Sequence, residues 1–140
     1  MSEHAPMPSA GEQLGPISVE VSGERVRAYA DASGDHNPIH LDAAFAATTV
    51  YGGTIAHGML LLAYISRLLT ARFGAAWVEN GSLDARFRGP AMVGSTVTVA
   101  GEITAVDAVD GATDVQCAVR VLDVDGQALV TATAKLRLAG

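Results

Sequence analysis

The sequence predicts an α+β domain in which a curled antiparallel sheet of about five strands wraps around one long helix. An almost wholly apolar helical stretch runs from His57 to Gly74, and the second half of the chain then alternates with a period of two residues. Asp-Gly pairs at 110–111 and 125–126 separate strands of that half and favour hairpins. Because no second long helix is available to connect parallel strands, we expect the helix to lie across an antiparallel sheet.

The first third of the chain supplies an arm, a strand and a helix. Residues 1–14 carry several prolines and glycines without periodicity, which predicts a flexible N-terminal arm followed by a single domain at 15–140. Alternation over 16–22 predicts a short strand. Ser22 is then expected to cap a helix that ends at Gly34.

The rest of the chain supplies the central helix and most of the sheet. Residues 42–49 predict a short helix, and 57–73 predict a long helix that is buried on all sides and stops at Gly74. Four further strands are predicted, at 77–88, 95–107, 112–123 and 127–138. A sheet curled around one central helix is the hot-dog fold, and this is the fold we expect.

Composition and charge narrow the classes of function. Fifteen acidic against nine basic residues give a formal net charge of -6, which disfavours nucleic acid as a partner. A mean hydropathy of +0.28 suggests that some surface is buried in an oligomer. No leader-like pattern and no membrane-spanning run are present, which predicts a cytoplasmic protein that binds no membrane. The single cysteine, Cys117, lies in an alternating apolar run and is expected to be a buried thiol.

The stretch SGDHNPIH at 33–40 concentrates an acid and two histidines, and a metal site is the first interpretation to test. His36 and His40 are four residues apart, the spacing that places two ligands on one helical face, with Asp35 as a third ligand. Pro38 lies between the histidines and disfavours helical geometry in the residue before it. We therefore predict no metal here, and expect His36 to be a solvent-exposed turn residue.

Two interpretations of this stretch remain. Asp35 and Asn37 are turn residues whose side chains can cap local N–H groups, and Asp35 with His40 is also a common acid–base pair. Gly58 lies in the first turn of the long helix, where unpaired N–H groups and the positive end of the helix dipole converge. An acid–base pair beside such a helix start would suit a reaction that builds negative charge on a carbonyl oxygen.

Two segments resemble one enzyme family. Residues 29–69 contain D-x-N-P-x-H and a later H-G-M, and are similar to the hydratase 2 signature of the MaoC-like, (R)-specific enoyl-CoA hydratases. Residues 85–99, ARFRGPAMVGSTVTV, resemble the same family's next block, a strand that leads into an F-x-x-P-x-x-x-G turn. The later strands agree with the family in pattern only.

The resemblance implies a role for each matching residue. Asp35 and His40 match the catalytic aspartate and histidine, and Gly58 matches the backbone oxyanion donor. The resemblance also implies supporting residues, namely Asn37, Pro38 and Ser66. Ser66 has an alternative as a plain helix residue that bonds the carbonyl four residues earlier.

Substrate contacts are predicted near these positions. His57 and Met59 flank Gly58, although for His57 a role at the start of the helix is the favoured alternative. Arg86 and Arg88 on one strand, and the pair Lys135 and Arg137 on the last strand, are candidates for phosphate contacts, with solvated strand charges as the alternative.

The resemblance implies a hydro-lyase that reversibly hydrates trans-2-enoyl thioesters to (R)-3-hydroxyacyl thioesters. It implies no cofactor, because coenzyme A or the pantetheine of acyl carrier protein is part of the substrate. We expect a homodimer, with a heterodimer or a dimer of dimers as variants. The alternatives are an acyl-thioester-binding subunit of a heteromeric dehydratase and a hot-dog thioesterase. The acyl chain length and the pathway, whether fatty-acid, polyester or specialised metabolism, stay open.

Overall fold

The computed structural model describes residues 6–139, which form a curled five-stranded antiparallel sheet around a central helix. The strands are β1 (Gln13–Glu20), β2 (Ser82–Phe87), β3 (Thr96–Val109), β4 (Ala112–Leu122) and β5 (Ala128–Leu138). The helices are α1 (Gly23–Ser33), α2 (Pro38–Leu41), α3 (Ala43–Ala46), α4 (Gly58–Phe73) and α5 (Ala75–Asn80). The strand order β1-β3-β4-β5-β2 leaves β1 and β2 at the two edges. The predicted hot-dog fold is confirmed.

Both predicted hairpins are present. Asp110 and Gly111 adopt positive φ angles of 50° and 81°, the backbone that a two-residue turn between twisted strands requires. In the turn between β4 and β5, Asp123 Oδ1 accepts the N–H groups of Asp125 and Gln127, each at 2.9 Å. Local side-chain chemistry therefore sets the register of the β3-β4-β5 meander.

Helix α4 supplies the centre of the core. Seven of its residues are buried among the inward-facing side chains of the sheet: Leu60, Leu61, Tyr64, Ile65, Leu68, Leu69 and Phe73. On β5, Ala132 and Ala134 face the core, where short side chains allow close approach. The expectation of a helix buried on all sides is wrong for one face of α4. The exposed residues on this face are Met59, Ala63, Arg67 and Thr70.

Two short helices replace predicted extended or turn structure. The strand expected at 77–88 begins only at Ser82, because Ala75–Asn80 forms α5. The Trp77 Nε1–H group donates to Ser66 Oγ on α4 at 2.9 Å, and this contact between distant residues overrides the local alternation. Pro38–Leu41 forms α2, and α3 occupies only part of the helix expected at 42–49.

The segment expected to be a flexible arm belongs to the fold from residue 6 onward. The Arg72 guanidinium donates to both carboxylate oxygens of Glu12, at 2.5 and 3.1 Å, and to the Pro6 carbonyl at 2.7 Å. Gly11 donates its N–H to the Ile103 carbonyl at 2.7 Å, and Leu14 is buried. The prediction of an arm is therefore wrong for residues 6–14, and residues 1–5 lie outside the described part.

Two further expectations concern membranes and the thiol. Among the described helices, none is long and apolar enough to span a bilayer. Cys117 is buried on β4, and its burial raises the pKa of the thiol to about 11. The expectation of an unreactive core cysteine agrees with that position.

Candidate active site

The turn between α1 and α2 is held by side chains that bond to backbone N–H groups. Asp35 Oδ1 accepts the N–H of Asn37 at 3.2 Å, and Asn37 Oδ1 accepts the N–H of Ile39 at 3.1 Å. Pro38 is the first residue of α2, a position where a missing N–H costs nothing. The turn is thus capped by Asp35 Oδ1 and Asn37 Oδ1, which leaves Asp35 Oδ2 for chemistry.

Asp35 and His40 face each other across this turn. Asp35 Oδ2 lies 3.8 Å from His40 Nε2, with the carboxylate 54% exposed and the imidazole 11% exposed. His40 Nδ1 lies 2.7 Å from the Ile55 carbonyl oxygen. Because a carbonyl can only accept, Nδ1 carries a hydrogen, and Nε2 is the nitrogen available on the aspartate side.

His57 lies beneath this pair. Its ring stacks on His40 with centroids 3.8 Å apart and an interplanar angle of 25°, and Tyr29 packs against it at 4.9 Å. His57 Nε2 donates to the Asp35 carbonyl oxygen at 2.9 Å. The residue is only 2% exposed, so the prediction of His57 as a substrate contact is wrong, because other side chains cover it.

Gly58 begins α4 directly after His57, so its N–H has no acceptor within the helix. A Cβ atom at this position would lie 2.8 Å from Phe87 Cε1, because the Phe87 ring packs directly over the glycine. Beside them is an open cavity of about 460 Å³. The cavity lining includes Tyr51, Ile55, Gly58, Leu61, Phe87 and Arg88. The space next to the helix start is therefore large enough for part of a ligand.

Asp35, His40 and His57 also satisfy a simple test for a metal cluster, since one ligand atom of each lies within 4.8 Å of the others. One observation counts against a shared ion. Stacked rings hold their lone pairs in nearly parallel planes, so the nitrogens do not converge on one point. The bonds from His40 Nδ1 and His57 Nε2 to carbonyl groups are compatible with an ion and do not decide the question. The absence of a metal from this site stays a prediction, and the stacked arrangement of the two rings now supports it.

The remaining predicted residues divide between the cavity and other surfaces. Met59 is 59% exposed beside Gly58, and Arg88 lines the cavity while its Nε donates to Thr131 Oγ1 at 3.1 Å. Arg86 is exposed on the edge strand β2. Ser66 is eight residues from Gly58, about 12 Å along the helix, so the described chain does not bring it to Asp35.

The second predicted pair of cations lies on a different surface. Lys135 and Arg137 line a separate groove of about 410 Å³ together with Asn80 and Asp114. Arg137 Nε donates to Asp114 Oδ1 at 2.6 Å, and this hydrogen bond holds the pKa of the Asp114 carboxyl below its usual range. Exposed strand charges are the better description of this pair.

Sequence reasoning missed two parts of the site. It did not anticipate that His57 would be buried under His40, or that Phe87 would cover Gly58. The adjacency of His57 and Gly58 was visible in the sequence, but the partners lie 17 and 29 residues away along the chain. His36 behaves as predicted, since it is exposed and its Nε2 lies 3.0 Å from Asp31 Oδ1.

Fold and site together define a class of protein: a hot-dog protein with an aspartate–histidine pair beside the N-terminus of its central helix. Residues 7–125 match the family described as MaoC like domain. The chain is 34% identical over 125 residues to 3-hydroxyacyl-thioester dehydratase Z of Mycobacterium tuberculosis, which covers 86% of this chain and 83% of that protein. It is 41% identical over 91 residues to the (R)-specific enoyl-CoA hydratase of Aeromonas caviae, covering 64% of this chain and 67% of that protein.

A solved structure agrees with these sequence matches. The (R)-hydratase from A. caviae involved in PHA biosynthesis superposes with a TM-score of 0.81 at 30% identity, over 94% of this chain and 97% of that chain. The chain therefore belongs to the MaoC-like domain family. The relatives named above are hydratases and dehydratases, and this chain is a hydro-lyase like them.

Proposed function

We propose that this protein reversibly adds water to trans-2-enoyl thioesters and forms (R)-3-hydroxyacyl thioesters. The observation that carries the proposal is the placement of Asp35 Oδ2 and His40 Nε2, 3.8 Å apart, beside the start of α4. The names of the relatives support this substrate class, since they include an enoyl-CoA hydratase and a 3-hydroxyacyl-thioester dehydratase.

The separation of the two catalytic atoms suits a bound water. At 3.8 Å they are too far apart for a good direct hydrogen bond, but one water oxygen can lie within bonding distance of both. Asp35 takes a proton from this water as its oxygen forms a bond to C3 of the substrate. His40, protonated on Nε2, gives a proton to C2, and the two side chains then exchange a proton to restore the starting state.

The start of α4 stabilises the intermediate charge in this proposal. As the new bond forms at C3, electron density moves to the thioester oxygen, which becomes enolate-like. The Gly58 N–H, free of any intrahelical acceptor, donates to that oxygen, and the helix dipole adds to the effect. One such donor typically contributes about 3 kcal/mol of transition-state stabilisation.

The substrate brings its own carrier, so the proposed reaction needs no cofactor. The cavity of about 460 Å³ beside Gly58 is the proposed site for the acyl and pantetheine portion nearest the thioester. Arg88 lines this cavity directly after β2, and Arg86 lies on β2, so both are the proposed contacts for carrier phosphates. Whether coenzyme A or acyl carrier protein is the carrier is decided by experiment, and the cytoplasmic location stays a prediction from the sequence.

We further propose a homodimer that pairs through the edge strand β2. The other edge strand, β1, contains Pro16 and an irregular register between Leu14 and Ile17, features that disfavour pairing with another sheet. Large exposed apolar side chains include Phe87 on β2 and Tyr51, which lines the same cavity as Phe87, together with Phe45, Val50 and Met59. Such a set is typical of a surface that is covered in an assembly.

Light scattering after size exclusion tests the assembly. Wild-type protein is expected at twice the chain mass, and Val50→Asp is expected to weaken the dimer. Val124→Asp serves as a matched control, because Val124 is 75% exposed in the turn between β4 and β5. A fully active monomer would rule out the dimer, and a larger mass would indicate a dimer of dimers.

A single assay tests the proposed reaction. Purified protein is incubated with crotonyl-CoA, and loss of the conjugated enoyl thioester absorbance is followed beside release of free thiol. Loss of absorbance without thiol, with (R)-3-hydroxybutyryl-CoA as the product, supports the hydratase. Thiol release without hydration would instead identify a thioesterase. Binding of crotonyl-CoA without either change would identify an acyl-thioester-binding subunit.

A further inference from the structure

His57 is a buried polar side chain within the candidate site. Across residues 6–139 it is the only histidine, acid, amide or basic residue that is buried, at 2% exposure. It is also in contact with every other part of the site: it bonds to Asp35, stacks on His40 and directly precedes Gly58. A buried polar side chain in such a position requires a reason.

The hydrogen bonds assign the proton on His57. Its Nε2 lies 2.9 Å from the Asp35 carbonyl oxygen, which can only accept, so Nε2 carries the hydrogen. Its Nδ1 is buried and has no hydrogen-bond partner among the described residues. An imidazolium would need a partner for a hydrogen on Nδ1 as well, so the arrangement corresponds to the neutral Nε2–H tautomer.

The same ring controls two different groups of the site. Its Nε2–H holds the backbone of Asp35 in place, and therefore the position from which the Asp35 side chain extends. Its face fixes the plane of the His40 ring, whose Nδ1–H is held at the other side by the Ile55 carbonyl. Because both constraints come from the residue that precedes Gly58, the acid–base pair and the oxyanion donor share one rigid frame.

We propose that His57 is the positioning residue of this site, a neutral imidazole that holds Asp35 and His40 in register with the Gly58 N–H. The inference rests on the proposed hydratase reaction for its kinetic consequence, but not for its structural one. Reaction rates are sensitive to such register, since displacements of about 1 Å can cost about 100-fold in rate. The unpaired Nδ1 lowers stability, and this cost is explained by the function of the opposite nitrogen.

Two variants separate the parts of this role. His57→Phe retains an aromatic face against His40 but loses the donor to Asp35, and it also removes the unpaired nitrogen. It is expected to unfold at the wild-type temperature or above, while kcat for crotonyl-CoA falls about 10- to 100-fold and KM changes by less than about 3-fold. His57→Gln retains a donor without the stacked ring and is expected to lose less in kcat.

Several kinetic outcomes would overturn the inference. An unchanged kcat in folded His57→Phe would remove the positioning role. A raised KM at constant kcat would make His57 a binding residue instead. In an Asp35→Asn background the His57→Phe change is expected to cost at most about 2-fold in residual kcat, because there is no carboxylate left to position. An equal loss in both backgrounds would contradict action through Asp35.

A second measurement, of the protons on the histidine rings, does not depend on catalytic activity. Nitrogen NMR of the imidazoles is tractable because the chain has four histidines. Wild-type protein is expected to show His57 with hydrogen on Nε2 only, and His40 with hydrogen on Nδ1 whenever its ring is neutral. In His57→Gln, which lacks the stacked ring, the His40 nitrogen resonances are expected to shift, because the ring is no longer held in one plane. A charged or Nδ1-protonated His57, or an unchanged His40 in the variant, would refute the inference even if crotonyl-CoA is hydrated. If crotonyl-CoA is not hydrated but the imidazole spectra are as expected, only the proposed reaction is refuted.

Discussion

Helix α4 has polar side chains clustered near both of its ends, and the two clusters differ in how completely they are hydrogen-bonded. Near the C-terminal end, Arg72 donates to both oxygens of Glu12, and in the middle of the helix Ser66 accepts the indole N–H of Trp77. Toward the N-terminal end, His57 Nδ1 is buried without a partner among residues 6–139, and the Gly58 N–H has no intrahelical acceptor.

The difference separates groups that stabilise the fold from groups that serve the proposed reaction. Paired polar groups recover the free energy lost when they leave water, so the paired groups anchor α5 and the residue before β1 to the helix. Unpaired groups lower stability, and here the Gly58 N–H is free for a substrate oxygen, while the unpaired His57 Nδ1 belongs to a ring whose opposite nitrogen holds Asp35. Substitutions at the N-terminal end should therefore change activity, and those at the C-terminal end should change stability.

Asp35→Asn is expected to have the largest effect. The amide can still accept the N–H of Asn37 through Oδ1, so the turn remains, but it cannot take a proton from water. We expect kcat for crotonyl-CoA to fall about 10²- to 10⁴-fold. The thermal unfolding midpoint serves as the control for folding. Retained activity in the folded variant would show that another group is the base.

Gly58→Ala is expected to have the second-largest effect on kcat. The new Cβ would lie 2.8 Å from Phe87 Cε1, so either the ring or the start of the helix must move. If the oxyanion donor is displaced, kcat should fall about 100-fold. Gly58→Ala combined with Phe87→Leu relieves the collision and should recover part of the rate. Full activity in the single variant would exclude a close approach of substrate to Gly58.

Ser66→Ala tests whether Ser66 stabilises the fold through its bond with Trp77 rather than taking part in the reaction. It removes the acceptor of the Trp77 indole N–H, which should lower the free energy of unfolding by about 1 kcal/mol. Urea denaturation measures this loss, and kcat should stay within about 2-fold of wild type. A large loss of kcat with unchanged stability would return Ser66 to the active site.

Glu12→Gln is expected to have the smallest effect, and one that depends on pH. The hydrogen bond from the Arg72 guanidinium lowers the pKa of Glu12 below its usual value of 4.5. A carboxyl whose pKa is lower in the folded state stabilises the fold above the unfolded-state pKa, and this contribution is lost as the pH falls through the folded-state pKa. Urea unfolding at pH 7 should show a loss of about 0.5–1 kcal/mol.

The same pH series contains the control for Glu12. The difference between Glu12→Gln and wild type should shrink once the pH falls below 4.5. Activity at neutral pH should be unchanged, because Glu12 bonds to Arg72 at the other end of α4 from Gly58. A difference that grows as the pH falls would contradict the assigned ion pair.

Features that depend on neighbouring residues were predicted well from the sequence. The Ser22 and Gly34 caps bound α1, and Asp110–Gly111 forms the expected hairpin turn. The helix expected at 57–73 spans Gly58–Phe73. The turn around Asp35 is equally local, so its position before His40 could be read from spacing and the family resemblance.

Features that depend on distant residues were not predictable in this way. Alternation at 77–81 favoured a strand, but the bond from Trp77 to Ser66 holds a helix there. Prolines and glycines at 1–14 favoured an arm, but Arg72 binds the described part of that segment. In each case long-range contacts outweighed a weak local preference.

The sequence by itself determined the fold class, the central helix, the hairpins and the turn that carries Asp35 and His40, because caps, turns and periodicity act over a few residues. Only the tertiary structure decided that the His57 ring lies under His40 and that Phe87 covers Gly58. Those contacts join residues 17 and 29 positions apart, and their geometry follows from the packing of a strand and a turn against one helix end. Local spacing carries no information about such packing, since it depends on how the whole sheet curls.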